Sequence, residues 1–277
     1  VHEIIPVAIR RWRKQLKKAA TWREIAAFRR QIAAKPYAAV IDTQGLVKSA
    51  LLARHANGPH LGYAADSARE PLAARCYDRT FHIARDLHAV PRNRLLAASA
   101  LGYVAEGEPD YGIDTAAGAF TWLAHRPYVV FLTATSRDDK LWAEANWLTL
   151  GRHLNGLGFS CVLPGGSAIE RERASRLASA IPGAVAAPAM SIPDLAGLLA
   201  GARAVVGVDT GLTHLAAALK IPTVAIYTAT DPGLTGVLGA GFYRNLGGKA
   251  QIPAAEAVLG ELQAVLGELM NVARNNA

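Results

Sequence analysis

The chain of 277 residues predicts an α/β protein whose second half is a doubly wound parallel sheet. Three observations carry this expectation. Five short apolar runs alternate with helical patterns through the second half: Tyr128–Leu132, Phe159–Leu163, Ala184–Ala187, Ala204–Val208 and Thr223–Tyr227, with helices expected over 140–157, 168–181, 191–201 and 211–220. Hydrophobic residues make up 51% of the chain, charged residues 19%, and there are 25 glycines, a balance suited to a compact α/β core. Two of the apolar runs end abruptly in hydroxyl-rich turns, Thr133–Lys140 and Asp209–His214, where a sheet of this kind binds its ligand.

The elements follow in order. Trp12, Leu16 and Ala20 share one helical face, and Thr21-x-x-Glu24 has the pattern of a capping box that restarts a helix. Trp22, Ile25, Phe28 and Ile32 continue that helix. Tyr37–Ile41 reads as a short strand ending in Asp42-Thr43-Gln44-Gly45, with a helix through Lys48 to Arg54. A Gly/Pro/His-rich loop over Asn57–Tyr63 leads to Arg69-Glu70-Pro71 and to helical stretches, one of them over Arg92–Ala100. Residues 104–126 are irregular and mark a connection, so the expected domains are 1–125 and 126–277, the second closing with a helix over Ala254–Arg274.

The net charge of +8 is local. Between Arg10 and Arg30 stand nine basic residues and one acid, Glu24, so the rest of the chain is neutral overall. Such a stretch suits nucleic acid, an anionic membrane surface or an acidic substrate, or is simply a solvated helix face. The aromatics within it, Trp12, Trp22 and Phe28, have the spacing of a core face and not of a base-stacking platform, which argues against nucleic acid. Cys76 and Cys161 lack metal-ligand spacing and are expected as buried free thiols in a reducing compartment. No apolar run approaches the about 18 residues of a membrane span, and no signal-peptide core opens the chain, which predicts a soluble protein.

The stretch Val205-Val206-Gly207-Val208-Asp209-Thr210-Gly211-Leu212-Thr213-His214 turns from apolar strand to ligand-binding turn to helix within ten residues. Backbone N–H groups at a helix start attract phosphate, so this turn and Thr135-Ser136-Arg137-Asp138-Asp139-Lys140 together favour a nucleotide-diphosphate site. Asp209 and Asp138 read equally well, each alone, as helix N-caps. Glycine-rich dinucleotide and P-loop patterns are absent, as is a Gly-x-Ser-x-Gly elbow. No Asp-x-Asp occurs, so no metal or other cofactor is expected, and Lys140, hydroxyls and helix starts must neutralise the diphosphate. His82 and His88 read as structural or surface residues.

Several segments resemble the lipopolysaccharide heptosyltransferase I family, glycosyltransferase family 9. They are Ile9-Arg10-Arg11-Trp12-Arg13-Lys14, Ile41–Ala50, Ala68-Arg69-Glu70-Pro71-Leu72-Ala73, Ala134–Lys140, Val208–Leu215 and Thr230-Asp231-Pro232-Gly233-Leu234. They run in order along almost the whole chain. The resemblance implies a GT-B fold, two Rossmann-like doubly wound domains with the N-terminal one incomplete, and an inverting, metal-independent transfer. The donor it implies is ADP-heptose, and the acceptor is Kdo of lipid A in the lipopolysaccharide inner core, met at the anionic cytoplasmic face of the bacterial inner membrane by a cytoplasmic, peripheral enzyme.

Carried over by position, the resemblance puts Thr135, Ser136 and Lys140 at the diphosphate, and Glu170 and Met190 at the nucleoside. It puts Asp209, Thr210, Gly211 and His214 at the diphosphate and heptose, and Arg10, Arg11, Arg13, Lys14 and Arg69 at the acceptor. Read without it, Glu170 is a solvated helix residue and Met190 a core filler. The family opens with a strand and glycine loop bearing an aspartate base; Val1 starts past it, so the expectation is an N-terminally truncated enzyme without its base. Other readings of the same residues are another nucleotide-sugar enzyme of this fold, such as a second heptosyltransferase or an epimerase, and a non-catalytic basic module for nucleotide or membrane.

Overall fold

The computed structural model describes residues 2–275, with side chains through residue 266. It divides into two compact units, one ending at Glu106 and the other beginning at Gly107. Both are built on parallel sheets, the α/β architecture expected.

The first unit opens with two helices, α1 (Ile9–Lys14) and α2 (Ala19–Ala33). They meet through Trp12 and Phe28, both buried, with ring centroids 5.9 Å apart. The capping box at Thr21 does not form. The helix already starts at Ala19, Thr21 is buried inside it, and the Glu24 carboxylate instead accepts from Arg11 (2.6 Å) and the Trp12 indole (2.8 Å). Packing of the helix pair thus outbids a local cap. Trp22, placed by its spacing on the core face, is 57% exposed and donates its indole N–H to the Leu16 carbonyl.

A three-stranded sheet follows, β1 (Val40–Asp42), β2 (His60–Tyr63) and β3 (Arg79–Phe81), in the order β1-β2-β3, with α3 (Val47–Ala53) and α4 (Ala89–Leu101) beside it. Strand β1 starts three residues later than the apolar pattern suggested, and β2 lies where a loop was expected. Gly62 disguises that strand: a Cβ there would stand 2.4 Å from the Tyr77 ring, so the residue is glycine because another side chain lies against the strand. The small core of this unit gathers Tyr63, Ala68, Ile83 and Leu96. Cys76 is half-buried, contrary to expectation, whereas Cys161 of the second unit is buried and its thiol is pushed up to about 12 by desolvation.

The second unit contains β4 (Tyr128–Leu132), α5 (Glu144–Gly156), β5 (Ser160–Leu163), α6 (Ala168–Ala180), β6 (Val185–Ala186) and α7 (Ile192–Ala200). It continues with β7 (Ala204–Val208), α8 (Gly211–Ala218), β8 (Thr223–Tyr227), α9 (Pro232–Thr235), β9 (Tyr243–Gly247) and α10 (Ala255–Asn275). All pairings are parallel, in the order β6-β5-β4-β7-β8-β9. From β4 the chain winds outward one way and from β7 the other, so the switch point of the sheet lies between these two strands.

Side chains alternate across this sheet. Val129 and Phe131 join Trp142, Trp147, Leu177, Val258 and Leu262 on one face. Tyr128, Val130 and Leu132 join Leu198, Leu199 and Ala216 on the other. Strand β9 escaped the sequence reading because Tyr-Arg-Asn-Leu-Gly is only half-buried at the sheet edge and carries no apolar run. The helix expected from residue 140 is instead a 3₁₀ turn over Asp138–Lys140 followed by α5 from Glu144. Residues 107–126 pack with this unit: the Gly118 amide donates to the Gly197 carbonyl and the Tyr111 hydroxyl to that of Leu238.

Candidate functional site

The carboxyl ends of β4 and β7 stand side by side, because Leu132 pairs with Gly207. The turns that follow are therefore neighbours across the switch point, and one hydrogen bond ties them: Thr135 Oγ1 donates to the Asp209 carbonyl at 3.0 Å. Strand β7 delivers Asp209 and Thr210 into this position through a tight strand-to-helix turn. Thr213, on the first turn of α8, folds its hydroxyl back onto the Val208 carbonyl at 2.7 Å. It lies so close to β7 that a Cβ at Gly207 would meet Thr213 Oγ1 at 2.2 Å, which only glycine avoids.

Asp209 is the hub. Its Oδ2 accepts from Lys140 Nζ at 2.7 Å and from Thr230 Oγ1 at 2.7 Å, and His214 Nε2 lies 3.9 Å from Oδ1, in charge range but beyond a hydrogen bond. Burial by itself would raise this carboxyl. His214, Lys140 and Thr230 outweigh that burial and hold it well below the usual carboxylate range. The side chain is 12% exposed and that of Lys140 17%, so the pair is largely out of bulk water. Neither Asp209 nor Asp138 acts as an N-cap. Thr210 occupies the cap of α8 without a side-chain bond, and Arg137 does so at the 3₁₀ turn.

Lys140 is held by the turn that carries it. Thr228 Oγ1, just past β8, donates to the Asp139 carbonyl at 2.7 Å, and Arg137 is paired with Asp139. Two residues on, Trp142 is fully buried with its indole bonded to the Pro253 carbonyl at 2.8 Å. The backbone on both sides of Lys140 is thereby fixed. An ammonium has three N–H donors and the Asp209 carboxylate takes one of them, leaving donors for a second anion. Ser136 precedes a 3₁₀ turn and offers no α-helix start, whereas α8 does begin at Gly211.

Beside the hub lies a cavity of about 320 Å³ lined by Thr135, Ser136, Gly166, Glu170, Ile192 and Thr210, among others. Thr135 belongs to both features. Glu170 reaches this cavity from the first turn of α6 by a true capping box with Ser167, its carboxylate accepting the Gly166 and Ser167 amides at 2.8 and 2.9 Å. Met190 is half-buried against the second core cluster and is not among the residues lining the cavity. The structure thus brings Thr135, Ser136, Lys140, Glu170, Asp209, Thr210, Gly211 and His214 to one edge of one sheet. Thr228 and Ser167 were not singled out in the sequence, and Thr230 entered only as the first residue of a resembling segment; the Thr-Ala-Thr run after β8, another hydroxyl-rich strand end, was the signal for the two threonines, and Ser167-x-x-Glu170 that for the serine.

In the first unit, Arg10, Arg11, Arg13 and Lys14 all lie exposed on α1, with Arg11 committed to Glu24. Arg69 is exposed on a segment clasped to the turn before α3: the Glu70 amide donates to the Gly45 carbonyl at 2.9 Å and the Val47 amide to the Glu70 carboxylate at 2.7 Å. His82 pairs with Asp66 in the open, and His88 accepts the Val90 amide at the start of α4. Among the described residues no cluster of three or more His, Cys, Asp or Glu is arranged to hold a metal, and no helix is long and apolar enough to cross a membrane.

Residues 25–251 match the family described as glycosyltransferase family 9 (heptosyltransferase). The chain is 48% identical over 241 residues to lipopolysaccharide heptosyltransferase 1 of Salmonella typhimurium strain LT2, covering 86% of this chain and 76% of that protein. It is 47% identical over 241 residues to the protein of the same name from Pseudomonas aeruginosa, covering 86% and 68%. Among solved structures, E. coli heptosyltransferase WaaC with ADP superposes with a TM-score of 0.84 at 43% identity, covering 96% of this chain and 84% of that one. The same enzyme with ADP-2-deoxy-2-fluoro heptose gives 0.80 at 39% identity, covering 100% and 84%.

Proposed function

The chain belongs to glycosyltransferase family 9, the heptosyltransferases, and from that premise we propose that it transfers heptose from ADP-heptose to the Kdo residue of lipid A. Heptose transfer in lipopolysaccharide core assembly is the activity its relatives share. The observation that carries the donor side is the Asp209 hub at the switch point, joined through Thr135 to a cavity able to take a nucleoside.

In this reading Lys140 and the amides at the start of α8 face the diphosphate, while Ser136 and Thr210 offer hydroxyls to it and Glu170 lies toward the nucleoside. Asp209 and His214 orient the heptose. The acceptor hydroxyl oxygen attacks the anomeric carbon as the bond to the ADP oxygen breaks, and the electron pair leaves with the diphosphate while a base takes the hydroxyl proton. A single displacement of this kind inverts the anomeric centre. Charge growing on the departing diphosphate is met by the Lys140 ammonium and backbone N–H groups, without a metal ion. Arg10, Arg11, Arg13, Lys14 and Arg69 receive the acceptor, whose carboxylate and phosphates suit them, and whose lipid brings the enzyme to the anionic cytoplasmic face of the inner membrane.

The test is calorimetric binding of ADP and UDP with and without EDTA, together with heptose transfer from ADP-heptose to Kdo-lipid A. ADP is expected to bind more tightly than UDP, to be indifferent to EDTA, and the product to carry the inverted linkage. Preference for UDP, or loss of ADP binding in EDTA, would overturn the donor assignment or its metal independence respectively.

A further inference from the structure

The chain that carries Lys140 is gripped a further time, from α6. Arg173, on the second turn of that helix, has a side chain only 15% exposed. Its Nη2 donates to the Trp142 carbonyl at 2.9 Å, and its Nη1 pairs with Glu144 Oε1 at 3.5 Å. Trp142 stands two residues past Lys140 and Glu144 opens α5, so one guanidinium spans the segment that joins the lysine's 3₁₀ turn to the next helix. Its Nε is buried with no hydrogen-bond partner among the described residues. An apolar side chain in place of a buried ionic group is often neutral or stabilising, so packing alone does not account for an arginine here.

Helix α6 has a second tie to the donor site. Glu170, three residues before Arg173 and therefore on the same helical face, lines the cavity beside the Asp209 hub. The capping box with Ser167 fixes this first turn, and Ala174 and Leu177 anchor the helix in the core. One element thus forms the cavity wall with one side chain and, a turn later, holds the backbone next to Lys140. The distance from the nucleoside cavity to the ammonium is set by that pair of contacts.

We propose that Arg173 is a positioning residue: by holding the Trp142 carbonyl it keeps the Lys140 ammonium in register with the nucleoside cavity, where the diphosphate of the nucleotide sugar meets it. Arg173 touches no substrate and acts through Lys140. The proposal rests on the reading that Lys140 faces the diphosphate. Arg176 supplies the control, since it pairs with the same Glu144 oxygen at 3.1 Å but lies 54% exposed on the surface. It separates the ion pair from the bond to the carbonyl.

Two measurements test this on the full chain. Calorimetric titration of ADP into the native protein, Arg173→Met, Lys140→Ala and the double variant gives the coupling between the two residues. Acetylation of Lys140 by acetic anhydride without nucleotide, followed by peptide mass spectrometry, reports how firmly the ammonium is held against Asp209. Arg173→Met is expected to weaken ADP binding about fivefold in the native background and less than about twofold in Lys140→Ala, and to speed Lys140 acetylation about threefold, with the thermal midpoint near native. Arg173→Lys, which still carries a donor for the carbonyl, should recover most of both losses, and Arg176→Gln should change neither. Unchanged ADP affinity in Arg173→Met, an equal loss in both backgrounds, or a native acetylation rate would each refute the positioning role. Should Arg173→Met fail to fold, Arg173→Gln carries the same comparison. Failure of ADP to bind the native chain would overturn the donor reading instead, and the acetylation rates would still decide whether Arg173 places Lys140.

Discussion

Each unit of this protein carries an aspartate at the carboxyl end of a parallel strand, Asp42 buried as the last residue of β1 and Asp209 half-buried just past β7, and the two are used differently. Asp42 closes β1 and is surrounded by neutral donors: Oδ1 accepts the Gln44 and Gly45 amides at 2.9 and 3.4 Å, and Oδ2 accepts the Ser49 and Tyr77 hydroxyls, both at 2.7 Å. Asp209 directly follows β7 and takes an ammonium, one hydroxyl and a nearby imidazole. A carboxylate saturated by short-range neutral donors is a fastener: it shapes the turn before α3 and has nothing left to give. One balanced by a lysine that keeps spare donors is an electrostatic hub, since a second anion can share the cation. Both are aspartates at the carboxyl end of a parallel strand; the neighbours decide the role.

The comparison breaks most visibly on substitution by the neutral amide. In Asp209→Asn the Lys140 ammonium, 17% exposed, faces a group with no charge, which is expected to destabilise the second unit by about 3 kcal/mol. The effect depends on pH with a definite sign. The folded-state Asp209 lies below its unfolded value, so its contribution is fully present above the unfolded pKa of about 4 and is lost as pH falls through the depressed folded value. Denaturant midpoints of native and Asp209→Asn protein should therefore differ by a constant amount between about pH 7 and pH 5, and converge below about pH 4. A gap that widens on acidification would mean that the carboxylate is not the stabilising partner.

Asp42→Asn is the contrasting case. The amide oxygen keeps the two backbone donors, and the Ser49 and Tyr77 hydroxyls can turn to accept from the new NH₂. A cost of about 1 kcal/mol is expected, against about 2–3 kcal/mol for Asp42→Ala, which strands two hydroxyls and two amides. Chemical unfolding followed by fluorescence would check both. Equal losses for Asn and Ala at position 42 would show that charge matters there as it does at 209, and the distinction between fastener and hub would fail.

How much of this was legible beforehand depends on how each feature is encoded. Strands β4, β7 and β8 coincide with their apolar runs because both faces of the sheet are buried, which forces an uninterrupted apolar stretch. Strand β9, half-buried at an edge, and β2, interrupted by the glycine that Tyr77 covers, carry no such pattern and were missed. The hydroxyl-rich turns at 135 and 209 were visible as strand ends, but their hydrogen bond to each other follows from β4 lying beside β7, a matter of strand order that local composition does not state. Glu24 misled the reading for the same reason: its partners, Arg11 and Trp12, come from a different helix.

Removing Lys140 tests the hub from the ligand's side. One charge-assisted bond to a diphosphate is worth about 1.5–3 kcal/mol, so Lys140→Ala is expected to weaken ADP binding roughly 10–150-fold. Part of that loss comes from Asp209, whose unbalanced charge then repels the same diphosphate. The double variant with Asp209→Asn should recover some affinity, and calorimetric titration of ADP into the four proteins of the cycle measures the coupling. A change below about twofold in Lys140→Ala would remove this lysine from the diphosphate site.

The smallest expected effect is the finest test. Thr230 contributes one neutral hydrogen bond to the same oxygen that Lys140 holds, and Thr230→Val replaces the hydroxyl with a methyl of similar volume. About 1 kcal/mol of stability should be lost. With one donor fewer, Asp209 draws harder on Lys140, so ADP affinity should fall slightly and the low-pH convergence between native and Asp209→Asn protein should move to higher pH in the Thr230→Val background. A parallel substitution at Ser49, which gives Asp42 its hydroxyl, should shift stability without any change in ADP binding. If Ser49→Ala altered ADP affinity as much as Thr230→Val, the two aspartates would not be separable into fastener and hub.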